Sequence, residues 1–262
     1  MTLQIHPIPA FRDNYIWIIH NNTHAVIVDP GDASPVIDYL QFNQLQLQAI
    51  LITHHHSDHT GGNTLLLDRF DVPIYGPKQE TISTVSHPVQ EDETVHIPTL
   101  SLALEVIEIP GHTRGHIAYF GSLQGHQERN ILFCGDTLFA CGCGRIFEGT
   151  PQQMYQSLQK LADLPEDTLV YCTHEYTLAN IAFARTVEPN NIDLEKREHC
   201  TKQLRSENTP TLPTSIAIEK ACNPFLRCHQ PEIIKTTSQY AGKMLNEPIA
   251  VFTALREWKN NF

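Results

Sequence analysis

The chain has 262 residues, of which 41% are hydrophobic and 18% charged, a balance that excludes fibrous and disordered classes and allows one large domain or a medium one with a smaller partner. The formal net charge is −11. It is uneven: residues 1–174 hold 7 Lys and Arg against 19 Asp and Glu, whereas residues 175–262 hold 11 against 10. An acidic front half repels nucleic-acid phosphates, so no nucleic-acid partner is expected.

The first nineteen residues carry no cationic start with a continuous apolar stretch, and no later run approaches the roughly 18 apolar residues of a membrane span. The expectation is a cytoplasmic protein with no membrane partner. Short β-rich runs dominate the front: residues 3–8, 15–20, 25–29, 49–53, 102–109, 117–121, 130–134 and 169–172. Helical patterns interrupt them. Ser34-Pro35 supplies a capping residue and an early proline for one helix, residues 63–70 form another, and Thr150-Pro151 opens a third with Met154, Leu158 and Leu161 on one face.

From Glu175 onward helical periodicity takes over, with helices expected near 176–187, 191–207, 214–221, 231–242 and 248–260. The shift predicts two domains, 1–174 and 175–262, the first mixing strands and helices and the second smaller and all-α. With no Gly/Ser linker between them, they should pack directly. Seven scattered cysteines, an odd number, read as reduced thiols. Cys141-Gly142-Cys143 lacks the second pair that a structural zinc site needs.

Chemistry concentrates in Thr53-His54-His55-His56-Ser57-Asp58-His59, which follows an apolar strand. Residues two apart in extended chain face one side, so His54 and His56 can share one ion while the next turn aims Asp58 and His59 at another, with His55 pointing elsewhere. His112, Asp136 and His174 each fall just past a predicted strand end, where α/β sheets present ligands in a crevice. The expected sets are His54, His56 and His112 on one ion and Asp58, His59 and His174 on the other, bridged by Asp136. Two divalent ions repel strongly, so bridging anions, a carboxylate and a hydroxide, are required between them.

The H-x-H-x-D-H string with the later His112, Asp136 and His174 resembles the metallo-β-lactamase superfamily, which implies an αβ/βα sandwich with metals at one sheet edge. Asp29, in Val28-Asp29-Pro30-Gly31, resembles the superfamily's early aspartate that orients the ligand loop; a plain turn-forming aspartate is the other reading. Further segments are similar to hydroxyacylglutathione hydrolases (glyoxalase II): residues 9–17, 134–139, 142–145, 174–177, 223–227 and 255–259. That resemblance implies hydrolysis of the thioester of S-(2-hydroxyacyl)glutathione, such as S-D-lactoylglutathione, by a metal-bridging hydroxide in methylglyoxal detoxification. It places catalysis on Asp58 and Asp136 and glutathione contacts on Arg145, Tyr176, Arg256 and Lys259, whose cations suit the tripeptide's carboxylates.

Phe147 stands where some members carry a tyrosine, so a stacking contact is expected there without its hydroxyl. Cys143 and His116 lie inside family motifs and are read as structural. Two divalent ions per chain are expected, zinc first, with iron and manganese also suited to His and carboxylate donors. A monomer acting on a small-molecule glutathione thioester is the overall expectation. Competing readings are a mononuclear iron persulfide dioxygenase or a lactonase of the same fold, and a binding protein with a structural metal.

Overall fold

The structure, a computed structural model, describes residues 3–123 and 129–262. Its first sheet takes six strands in chain order: β1 (Gln4–Ala10), β2 (Asn14–His20), β3 (His24–Val28), β4 (Gln46–Leu51), β5 (Ile74–Pro77) and β6 (His87–Val89). A second sheet starts with β7 (Thr94–Ile97), β8 (Leu102–Glu108), β9 (Ile117–Leu123) and β10 (Arg129–Gly135). After a small hairpin, β11 (Leu138–Phe139) and β12 (Gly142–Cys143), it resumes with β13 (Leu169–Cys172) and β14 (Thr214–Ser215). The spatial order of that sheet is β14-β13-β10-β9-β8-β7.

The reason for layering is visible in β2, NYIWIIH, which is buried at every position. Alternate side chains point to opposite faces of a strand, so a continuous apolar run demands cover on both sides. Tyr15, Trp17 and Ile19 enter the core between the sheets with Val106, Tyr119 and Phe133. Ile16 and Ile18 turn outward to meet Val36, Ile37 and Leu40 of helix α1 (Ala33–Phe42). Each such large side chain contributes about 1.5–3 kcal/mol on burial. The Trp17 indole also donates to the Cys172 carbonyl at 3.0 Å, tying the sheets together.

Pro7 and Pro9 lie in β1, which pairs only with β2 and forms the sheet edge, where a missing N–H is tolerated. The cap of α1 differs from the sequence reading: Asp32 accepts from the Ser34 N–H, and the helix begins at Ala33. Short helices α2 (Ser57–Thr60) and α3 (Asn63–Leu67) follow, and α4 (Pro151–Ala162) starts with the expected Thr150 cap, completed by Gln153 as a capping box.

The tail holds α5 (Thr177–Val187), α6 (Ile192–Ser206), α7 (Ile216–Cys222), α8 (Pro231–Ala241) and α9 (Pro248–Asn260). Its Thr214–Ser215 strand pairs antiparallel with β13, so this short piece of the tail extends the second sheet. No described helix is long and apolar enough to cross a membrane.

Candidate metal centre

The seven donor residues expected from sequence meet in space. Donor atoms of His54, His56 and His112 lie within 4.8 Å of one another, as do those of His54, His59 and Asp136, and those of Asp58, His59 and His174. They arrive on the turns that leave β4, β8, β10 and β13. Gly135 permits this convergence: its φ is +47°, and a Cβ there would stand 2.3 Å from Thr53 Oγ1 and 2.9 Å from the His116 ring.

His56 Nδ1 lies 3.1 Å from His54 Nε2 and 3.0 Å from His112 Nε2. Asp136 faces both sides of the cluster: Oδ1 is 3.5 Å from His59 Nε2 and 3.4 Å from His174 Nε2, while Oδ2 is 3.5 Å from His112 Nε2. Asp58 Oδ2 stands 3.6 Å from His59 Nε2 and 3.5 Å from His174 Nε2. Donors sharing a tetrahedral ion at about 2.1 Å are roughly 3.4 Å apart, so these spacings fit a divalent cation. A sharper sign comes from His59 Nε2 and Asp136 Oδ1, both buried and without any hydrogen-bond partner. Buried polar atoms are costly when unsatisfied, and a cation between them would satisfy both.

The opposite ring nitrogens are held by the protein. His59 Nδ1 faces Asp29 Oδ2 at 3.0 Å, His174 Nδ1 faces Asp13 Oδ1 at 2.9 Å, and His112 Nδ1 donates to the Arg145 carbonyl at 2.8 Å. Such partners fix the tautomer and aim the free nitrogen inward. Of the two readings of Asp29, orientation of the ligand loop matches the geometry: it accepts from the Thr53 N–H at 2.8 Å and hydroxyl at 2.7 Å, buried at φ +51°. Asn14 Nδ2 donates to Asp58 Oδ2 at 3.2 Å. Asp13 and Asn14 sit in a segment singled out by resemblance alone, and their contacts span 161 and 44 positions of sequence, a separation that spacing rules do not reach.

Protonation follows the same geometry. Burial, helped by His59 and His116, holds His54 well below its ordinary value, and burial also lowers His56 and His112. Burial opposes the proton on His59, but Asp136 and Asp29 outweigh it and hold this ring well above the usual range. The Asp136 carboxyl feels burial pushing it up, yet His59 and His174 keep it well below the ordinary carboxylate range. His116 lies outside the three donor groups; its Nε2 accepts from the Asp136 N–H at 3.2 Å.

Beside the cluster opens a cleft of about 550 Å³ that shares His112 and Asp136 with it. Arg145, Phe147, Tyr176, Arg256 and Lys259 all line this cleft. Tyr176 stacks on His174 with centroids 4.6 Å apart, and burial, reinforced by Asp13, raises its hydroxyl well above the usual range, so it stays a donor. Lys259 is lowered by burial and by the cations Arg256 and Arg145, which gather positive charge on this wall of the cleft. Arg256 is the most enclosed of the three: Nη1 donates to the Cys143 carbonyl at 2.7 Å and the guanidinium lies 5.1 Å from the Phe225 centroid. Phe147 sits at the metal end, its ring edge-on to His112 at 5.2 Å and to His56 at 5.6 Å. Cys143 lines the wall of the same cleft.

Two facing sheets with helices outside and a His/Asp cluster at the strand ends define a metallo-β-lactamase-fold protein, and residues 10–174 match the family model described as metallo-beta-lactamase superfamily. Solved structures agree on the fold: ETHE1 from Myxococcus xanthus superposes with a TM-score of 0.63 at 24% identity, covering 99% of this chain and 98% of that one. Residues 175–262 match a second model, hydroxyacylglutathione hydrolase C-terminus. The chain is 56% identical over 260 residues to a hydroxyacylglutathione hydrolase of Nitrosomonas europaea, covering 99% of this chain and 97% of that protein. It is 50% identical over 259 residues to one of Methylobacillus flagellatus, covering 99% of each. The chain belongs to the hydroxyacylglutathione hydrolase family.

Proposed function

We propose that this protein is a thioester hydrolase acting on S-(2-hydroxyacyl)glutathione, cleaving S-D-lactoylglutathione to D-lactate and glutathione with two divalent ions, zinc first among them. The observation that carries the reading is one cleft with a His/Asp donor cluster at one end and Arg145, Arg256 and Lys259 at the other. Family membership supports the same substrate class.

His54, His56 and His112 would hold one ion and Asp58, His59 and His174 the other, with Asp136 reaching both. When bound, such ions lower the pKa of water towards 7 and polarise a carbonyl. Asp58 Oδ2, steadied by Asn14, accepts a hydrogen bond from the attacking water and orients it. Arg145 and Lys259 bind the tripeptide carboxylates by charge-assisted hydrogen bonds. Arg256 adds positive charge while propping the Cys143 carbonyl, and Tyr176 donates its hydroxyl to the peptide. The Phe147 ring covers the donor cluster and limits water there. Because the leaving thiol has a pKa of about 8.5, the thiolate departs without a dedicated acid.

The test is hydrolysis of S-D-lactoylglutathione by the purified chain before and after metal removal. Turnover that disappears with the metal and returns on zinc addition is expected; no hydrolysis in the zinc-loaded protein would refute the reading.

A further inference from the structure

His55 lies between the donor residues His54 and His56 but turns away from the cluster. Its Nδ1 faces Glu80 Oε2 at 3.0 Å and its Nε2 faces Glu148 Oε1 at 3.3 Å, so a carboxylate stands at each ring nitrogen. Glu80 comes from the turn after β5, and its other oxygen, Oε1, accepts from the Gly115 N–H at 3.2 Å and from the Thr113 hydroxyl. Thr113 adjoins His112. Glu148 completes the frame by accepting from the Arg114 N–H at 3.1 Å.

We propose that Glu80 is a positioning residue that clamps the His54–His59 loop to the His112 loop through His55, Thr113 and Gly115, and thereby sets the separation of donors on which metal retention depends. The proposal rests on the metal reading above.

Three features favour a clamp over an incidental surface contact. The Glu80 side chain is only 3% exposed, and among the described residues no Lys or Arg pairs with it. A buried carboxylate is costly unless its oxygens are satisfied, and here every partner belongs to one of two donor-bearing loops. The approach is also built in at close range: a Cβ on Gly115 would stand 2.5 Å from Glu80 Cγ and 3.0 Å from the Gln79 backbone. Finally, the clamp joins segments that lie far apart in sequence. His55 and Glu80 are 25 positions apart, and Thr113 lies 33 beyond Glu80.

Residues that hydrogen-bond metal ligands alter metal affinity or activity by about 10–100-fold, and Glu80, which acts one contact further out, is expected at the lower end of that range. The experiment compares the zinc-loaded full chain with Glu80→Ala, Glu80→Gln and His55→Ala. It follows zinc release to a chelator, the melting temperature of the metal-free form, and kcat and KM for S-D-lactoylglutathione. Glu80→Ala and His55→Ala should release zinc about tenfold faster or more, with kcat reduced and KM little changed. Glu80→Gln should recover most of the retention, because its amide oxygen still accepts from Gly115 and Thr113. Release at the wild-type rate in both alanine variants overturns the clamp. If Glu80→Ala does not fold, His55→Ala decides alone, since that ring is one-third exposed. A wild-type chain that holds no zinc would overturn the metal centre itself, a distinct outcome.

Discussion

Asp29→Asn probes the scaffold of the centre without touching a proposed ligand. The carboxylate accepts three contacts, from the Thr53 N–H at 2.8 Å, the Thr53 hydroxyl at 2.7 Å and His59 Nδ1 at 3.0 Å. Asparagine tolerates the positive φ of +51°, so the backbone is spared and only the hydrogen bonding changes. One oxygen must become an NH2. Placed towards His59, it donates to Nδ1 and drives the ring proton to Nε2, the nitrogen that faces Asp136. Flipped, it confronts the Thr53 N–H with another donor. The first arrangement suits the metal-free protein but puts a proton on the nitrogen that would hold the ion, so metal binding must force the flip and leave the buried Thr53 N–H unmet at about 1–3 kcal/mol, which corresponds to about 5- to 150-fold weaker metal binding. Competition with a chelator of known zinc affinity measures this directly. Affinity within twofold of wild type would show that His59 does not depend on Asp29 for its tautomer.

Asp136→Ala removes the carboxylate that faces both halves of the cluster, and turnover should be lost together with bound metal; a near-normal rate would exclude its bridging role. Lys259→Ala removes one cleft cation whose binding contact is worth about 1.5 kcal/mol, so KM should rise about tenfold with kcat little changed, and an unchanged KM would place the residue outside the binding path. Burial holds the Glu219 carboxyl above its ordinary value of 4.5, partly offset by Thr214 and Asn223. The folded state therefore binds this proton more tightly than the unfolded chain, so the contribution to stability is fully present below pH 4.5 and is lost as pH rises through the folded value. Melting temperatures of wild type and Glu219→Gln should consequently diverge as pH increases across that window, and parallel curves would contradict the assignment.

The strands legible from sequence were those with long apolar runs. β2 and β10 are buried on both faces, and no competing helix period disturbs them. β5, β6 and β7 escaped because they are only three or four residues long, and IYGP and HPV carry the Gly and Pro that read as turns. Thr214–Ser215 reads as the start of a helix in sequence because two residues hold no strand periodicity; only its partner β13 makes it a strand. Within the candidate site, the donors were readable since each follows an apolar strand. Their supports were not. Asp13 and Asn14 reach donors across 161 and 44 positions, and Glu80 reaches His55 on the donor-bearing loop across 25; no local pattern marks a polar side chain whose partner is set by tertiary packing. The sequence placed His55 away from the ions through strand alternation, but not what it meets there.

The proposed centre is a pair of cations caged by seven side chains with Asp136 between them. Elemental analysis of the purified chain, run in parallel with turnover on the same sample, tests it most directly. Two divalent ions per chain, with activity rising in proportion to the second, is the predicted result. Full activity with a single ion per chain would contradict it.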